Sequence, residues 1–523
     1  MIKRIRLYIR CLFKLIEEKF SFFFASRYSI FIVFIALHFL ITILRVLYVQ
    51  HGPLEIDSEE AQYWIWSRHL QLSYYSKPPL IAYFNWVSTS IFGDTLIGIR
   101  INAILIGLGV AVICYYLALE LFQDWKTAVV ASFLTYAMPF IWVPSLFFTT
   151  DSLLLLFWLM SLLFFWKALK TDSVKHWILF GISFGLGIIS KYTILFLIPG
   201  LCAFILLNHS HIFRNRKFYM GIGIGLLFLL PVLVWNIKND FVSFRHVQHL
   251  SGANDVSVPI KKIIFNLSEY ILGQIAVLSP FFAVFYFKIL KSWIRKQLSD
   301  EMLFLILPGI LVFIAFLPVA FTRKSGVNVN WTMFAYGAIP VVLAHWAVVK
   351  KKTGGLALMA GTSFMLLLII SNLWVFDRVG IQKIIPAELD PTKKLTGWQS
   401  LAHHVDSLKA KIPDSRFFVF SNSYHISSEL QFYLDKQPAT YFLNYNNRMN
   451  QFSLWPGVEQ FANKNYYGIY ISTTPIKDEL KSSFEELNSF TTRRILHRGA
   501  ETYNFKIYVL KDFKGFDEHN SHY

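Results

Sequence analysis

The residues best equipped for chemistry lie together in one short stretch, His51 to Leu80. It holds the carboxylates Glu55, Asp57, Glu59 and Glu60, the rings of Tyr63, Trp64, Trp66, Tyr74 and Tyr75, and a Lys77-Pro78-Pro79 corner, all between long apolar segments. Charge kept beside apolar spans is unfavourable unless it is used. Asp57, Glu59 and Glu60 stand where a helix would begin, so that Glu59, Tyr63 and Trp66 share one face and Asp57 precedes it. For Glu60 the ordinary reading is a first-turn or capping charge. Asp57 and Glu59, walled by aromatic rings, can accept the proton of an attacking hydroxyl or position a sugar hydroxyl or a metal. Lys77 is held ahead of two prolines with locked φ and reads as a compact point charge for a phosphate.

Further polar residues gather at the same membrane face. Arg100, near the outer end of a span, can meet a phosphate or reach lipid headgroups. Thr149-Thr150-Asp151-Ser152 opens another span, where Asp151 is either part of a cap or a functional acid. Lys191-Tyr192 sits at an outer turn with no acid beside it in sequence, so a bound anion would compensate its burial. The polar loop 236–262 carries His246 and His249, both ordinary in a surface loop, with His249 also placed to touch substrate or metal. Arg323 and Lys324 adjoin Asn328 and Asn330, with Trp331 at the position of an aromatic belt. Lys77, Lys191, Arg323 and Lys324 together call for an anionic headgroup. No ligand-spaced metal cluster stands out; a divalent cation is the one cofactor left open.

The elements that must hold these residues are membrane helices. Of 523 residues 55% are hydrophobic and 16% charged, the mean hydropathy is +0.46, and soluble domains carry about 25% charged residues. The net charge of +18 is scattered in short clusters between apolar runs, a distribution that speaks for topology and against nucleic acid. Three cysteines give neither a disulfide framework nor a metal site. Residues 1–27, basic and aromatic, read as an amphipathic anchor on inner-leaflet lipids. Apolar spans follow at 28–50, 96–119, 127–148, 152–168, 176–190, 192–208, 218–236, 264–290, 302–321, 332–348 and 355–376, with 81–92 as an interfacial helix and 176–208 as a broken pair. The transmembrane region is therefore 28–376, and 377–523 reads as a small mixed α/β domain: a helix at 399–410, a strand from Phe417, a helix at 428–434, and strands at 466–471 and 505–510.

The order of these motifs resembles the bacterial polyprenol-phosphate-sugar-dependent glycosyltransferases, a superfamily that includes the lipid A aminoarabinose transferase and the protein O-mannosyltransferases. The likeness rests on Ala61-Gln62-Tyr63-Trp64-Ile65-Trp66-Ser67-Arg68, Tyr74-Tyr75-Ser76-Lys77-Pro78-Pro79, Asp151, Gly187 to Tyr192, Asn328 to Trp331, Asp390-Pro391 with Gly397-Trp398, and Asn422-Ser423-Tyr424 with Glu429 to Tyr433. It implies a polytopic α-helical membrane protein of the GT-C fold, with about 11–13 transmembrane helices and an extracytoplasmic α/β domain. It also implies a polyprenyl-phosphate sugar donor, with Lys77 as the phosphate lysine. The usual Asp-Glu pair before Ala is Glu59-Glu60 here, with Asp57 two places earlier, so Asp57 and Glu59 both stand as candidates for the catalytic carboxylate. An inverting single displacement fits, by a monomer in the bacterial inner membrane. The cationic rim favours an anionic acceptor in the membrane, lipid A or its core, over another surface glycan or a protein. A transporter would instead keep its polar groups at mid-bilayer.

Counted by side, twenty-one Lys and Arg fall on the face of the N-terminus and nine on the face of the 51–80 loop, which puts the loop and residues 377–523 outside the cytoplasm. Protease added to intact spheroplasts is expected to remove the C-terminal domain; full protection of that domain would reverse the orientation.

Overall fold

The computed structural model describes residues 27–250, 258–323, 325–412, 416–516 and 519–521. The basic segment expected over 1–27, apart from Arg27, and Lys324 lie outside the described residues. The chain divides into two compact units, Met1–Gly52 and Pro53–Tyr523. The described part of the first is one helix, Arg27–His51, whose apolar stretch Ile32–His51 is long enough to cross a bilayer.

Among the described residues six helices are long and apolar enough to span a membrane. Besides Ile32–His51 these are Leu96–Phe122, Thr150–Thr171, Arg216–Lys238, Asp300–Thr322 and Thr353–Ser371. Two further pairs are bent: Trp125–Ala137 with Pro139–Ser145 by 78°, and Ile260–Val277 with Pro280–Ile294 by 85°. The sequence reading treats each pair as one straight span; the breaks fall at Pro139 and Pro280, where the missing N–H and the ring end the helical ladder. Four further apolar helices are shorter: Leu80–Phe92, Val174–Ile188, Tyr192–Asn208 and Met333–Val349. Close helix approach depends on glycine: a Cβ on Gly181 would stand 2.5 Å from the Gly221 carbonyl oxygen, and one on Gly187 would stand 1.9 Å from the Ile194 side chain.

The C-terminal region is a mixed α/β domain. Its five-stranded sheet has the order β2-β1-β4-β6-β5: β1 (Phe417–Ser421) runs parallel to β2 (Thr440–Phe442) and β4 (Tyr467–Ser472), and β6 (Ala500–Phe513) is antiparallel to β4 and to β5 (Phe484–His497). β3 (Tyr445–Arg448) pairs with β7 (His519–Ser521) in a separate parallel ladder. One apolar cluster joins Val419, Ile469, Ile507 and Val509 to the helices Trp398–Lys409 and Tyr424–Tyr433. A second cluster gathers Phe418, Phe420, Tyr470, Phe484 and Phe513, as the period-two alternation of strand side chains requires.

The loop between the membrane helices and this domain is held from the domain side. Glu55 Oε2 accepts the Trp398 N–H at 2.6 Å and so caps the Trp398–Lys409 helix. The Ile56 N–H donates to the Tyr433 hydroxyl at 2.8 Å, and the Tyr75 N–H donates to Gln451 Oε1 at 2.7 Å. Trp64 meets Phe432 edge to face at 5.2 Å. Gly397, with φ of +93° and the Ile495 side chain 2.1 Å from where a Cβ would be, sits where only glycine fits.

Candidate active site

The site is built on the helix Ser58–Arg68. Asp57 is its N-cap, accepting the Glu59 N–H at 2.9 Å, and the Asp57 N–H donates to Glu60 Oε2 at 3.1 Å, which closes a capping box. Glu60 is wholly buried and pairs with Arg100 at 2.8 Å. Its Oε1 also accepts the Phe148 N–H at 2.8 Å. The Arg100 guanidinium donates further to the carbonyls of Leu54 and Glu55 at 3.1 and 2.7 Å. One carboxylate thus fixes the loop to the Leu96–Phe122 span and to the residues just before Thr149. Its ordinary reading as a capping charge is correct but incomplete. Arg100, expected to face phosphate or headgroups, is instead 2% exposed and turned onto Glu60 and the two carbonyls.

With Glu60 committed, Glu59 is the exposed acid of the first turn and accepts the Tyr63 hydroxyl at 3.0 Å, the i,i+4 contact of their shared face. Around it lie the outer cations. The half-buried Lys77 ammonium is held below the usual lysine range by burial first and then by the charges of Lys191 and Arg448, while Glu59 and Asp151 act the other way. His246, packed on the Tyr75 ring at 5.0 Å, is pushed down to about 3 by burial and by the nearby charges of Arg448, Lys77, His249 and Arg323. A half-buried lysine held down by neighbouring cations is suited to receive an anion.

The expected residues divide as follows. Lys77, Lys191, His249, Arg323, Glu59 and Asp151 all contribute to this one electrostatic neighbourhood. Lys191, for which no acid was evident, pairs with Asp151 at 2.7 Å, and both are buried; the acid stands forty residues earlier, at the start of the Thr150–Thr171 helix. Tyr192 lies next to the loop, its hydroxyl 3.4 Å from Ser73 Oγ. Arg323 stacks over Trp331 at 4.8 Å. Asn330 is exposed on the short turn Val329–Trp331. Arg448 was missed, since it sits in a polar segment of the α/β domain with no local pattern to mark it. No group of three His, Cys, Asp or Glu side chains that could hold a metal occurs among the described residues.

Comparison with known proteins gives the following similarities. Residues 76–235 match the family of dolichyl-phosphate-mannose-protein mannosyltransferases. A lipid A galacturonosyltransferase of Rhizobium johnstonii is 28% identical over 61% of this chain and 66% of its own length. An undecaprenyl phosphate-alpha-4-amino-4-deoxy-L-arabinose arabinosyl transferase of Serratia proteamaculans is 22% identical over 49% of this chain and 47% of its own. The chain therefore spans between about half and two thirds of these curated relatives. In fold it is similar to ArnT from Cupriavidus metallidurans bound to undecaprenyl phosphate, with a TM-score of 0.64 and 12% identity, over 92% of this chain and 98% of that one. In fold the chain is of the ArnT type, and in sequence it is similar to transferases named for dolichyl-phosphate- and undecaprenyl-phosphate-linked sugars. The expected fold class, a polytopic helical membrane region followed by a mixed α/β domain, is the observed one.

Asp57 gives a test of the electrostatics. Burial, then the neighbouring charges of Glu60 and Glu59, raise its carboxyl to about 6, against opposition from the Glu59 N–H and Arg100. A carboxyl raised in the folded state contributes stability that is fully present below the unfolded range, near about 3.9, and lost as pH rises through about 6. Asp57→Asn keeps the N-cap but does not ionise. Its melting temperature is expected to gain on the parent between pH 5 and 7; a difference that stays constant over that window would contradict a raised carboxyl.

Proposed function

We propose that this protein transfers a sugar from a polyprenyl-phosphate carrier to an envelope glycan, in the inner membrane, with its active face and α/β domain in the periplasm. The observation that carries this reading is the cation group of Lys77, Lys191, Arg448 and Arg323 beside Glu59. The donor phosphate binds at Lys77, with Arg448 and Arg323 adding charge. As the anomeric C–O bond to phosphate breaks, the electron pair leaves with the phosphate, and the same cations stabilise that developing charge. The acceptor oxygen attacks from the opposite face, forms the new bond to the anomeric carbon and gives its proton to Glu59, so the configuration inverts. Glu59 takes this role because Glu60 is bound to Arg100 and Asp57 caps the helix. Where the acceptor is an ionised phosphate, Glu59 orients it and no proton moves. Asp151 keeps Lys191 in place as a positioning residue.

The acceptor is lipid A or its core oligosaccharide. Support comes from relatives whose names specify lipid A galacturonosyltransferase and lipopolysaccharide core galacturonosyltransferase, and from the electropositive rim, which suits an anionic lipid. With purified protein and labelled polyprenyl-phosphate sugar, Lys77→Ala is expected to lower transfer about 10²–10³-fold and Glu59→Gln about 10²–10⁴-fold, with Asp57→Asn weakened less. Glu59→Gln and Asp57→Asn both working at the parent rate would remove the carboxylates from the mechanism. Mass spectrometry of cells with and without the gene should show a sugar-sized mass missing from lipid A or core. Unchanged lipid A and core, with a glycan missing from an envelope protein, would overturn the acceptor.

A further inference from the structure

Between the start of the Ser58–Arg68 helix and the α/β domain lies a cavity of about 670 Å³, within the range of roughly 300–1,000 Å³ usual for small-ligand sites. It meets the cation group at Arg448, and its lining includes Asp57 and Tyr424. Elsewhere its character differs from a phosphate site. Trp398 and Tyr503, with ring centres 5.2 Å apart, form an apolar wall. Glu429 also lines it, is 1% exposed, and has no hydrogen-bond partner for either carboxyl oxygen among the described residues.

A buried carboxyl with both oxygens unsatisfied, on a residue that lines a cavity, is a group that a ligand entering the cavity can satisfy. Its surroundings also say in which form it acts. Burial, and then Asp57, Glu55 and Glu60, raise Glu429 well above the usual carboxylate range, with only Arg100 opposing. Burial thus favours the protonated carboxyl, which can donate one hydrogen bond and accept another, as a sugar hydroxyl does in return. Asp57 and Glu429 share the lining with the cations Lys394 and Arg448, so the cavity is not selective for an anion, whereas the C–H face of a sugar ring can pack on Trp398 and Tyr503.

We propose that this cavity is a saccharide subsite that holds a sugar ring of the acceptor, with Glu429 bonded to a ring hydroxyl. Assignment to the acceptor instead of the donor rests on the function proposed above. There the donor phosphate occupies Lys77 on the membrane loop, while the wall of this cavity belongs mostly to the α/β domain.

The test uses the full-length protein in nanodiscs and, as probe, core oligosaccharide freed of its acyl chains. Glu429→Leu removes the hydrogen bonds and relieves a buried unsatisfied group, so folding is not the obstacle; its melting temperature is measured alongside. Calorimetry is expected to show oligosaccharide binding to the parent, weakened by at least about tenfold in Glu429→Leu and restored by Glu429→Gln. In the transfer assay the acceptor KM of Glu429→Leu should rise by a similar factor, with the kcat and the donor KM within about twofold. Equal oligosaccharide affinity in parent and Glu429→Leu would overturn the subsite, and a rise in the donor KM alone would overturn its assignment to the acceptor. Binding that depends on Glu429 in a parent that transfers no sugar would uphold the subsite and overturn the transferase reading.

Discussion

The buried ion pair of Glu60 with Arg100 is the constraint on which the site depends. Two charges almost without exposure are stable only when every strong donor and acceptor is answered. Here Glu60 answers Arg100, the Asp57 N–H and the Phe148 N–H, while Arg100 answers Glu60 and two loop carbonyls. Three pieces of chain far apart in sequence are thereby brought to one point: the first outer loop, the Leu96–Phe122 span and the entry to the Thr150–Thr171 helix. Glu59 and Asp151, which share the neighbourhood of Lys77, each lie within a few residues of that point. Removing one partner from such a pair costs about 3–5 kcal/mol, because it leaves the other charge buried alone.

The carboxylates of the loop consequently have separate tasks. Glu55 caps a helix of the α/β domain, Asp57 caps its own helix, Glu60 holds the loop to the membrane region, and Glu59 faces the cations. The α/β domain is part of the site as well as a cover over it, since it supplies Arg448 to the cation group and Glu429 to the neighbouring cavity. This arrangement accounts for a polar loop that is tied on both sides by hydrogen bonds to its backbone.

What could be read from the sequence was what local spacing encodes. The shared face of Glu59 and Tyr63, the helix near 399–410 and the strands at 417, 466–471 and 505–510 all follow from patterns a few residues long, whereas Asp57, read for its chemistry, is the N-cap. Pairings across elements were not legible: Glu60 with Arg100 and Lys191 with Asp151 are each forty residues apart, and in neither does the local sequence announce the partner. Arg448 enters the site only because the fold brings it there. β5 escaped notice because it is an edge strand exposed along most of its length, so its side chains carry no apolar alternation. The bends at Pro139 and Pro280 were marked by residue type, yet composition alone counts each bent pair as one apolar run.

Hydrogen exchange in Arg100→Met compared with the parent tests the central constraint most directly. The Met side chain fills the space without the charge, leaving Glu60 buried and unpaired. The account predicts that protection is lost over residues 53–68 and 148–152, with local stability lowered by about 3–5 kcal/mol, while the amides of β4 and β6 keep theirs. Unchanged protection of the 53–68 loop in that variant would contradict it.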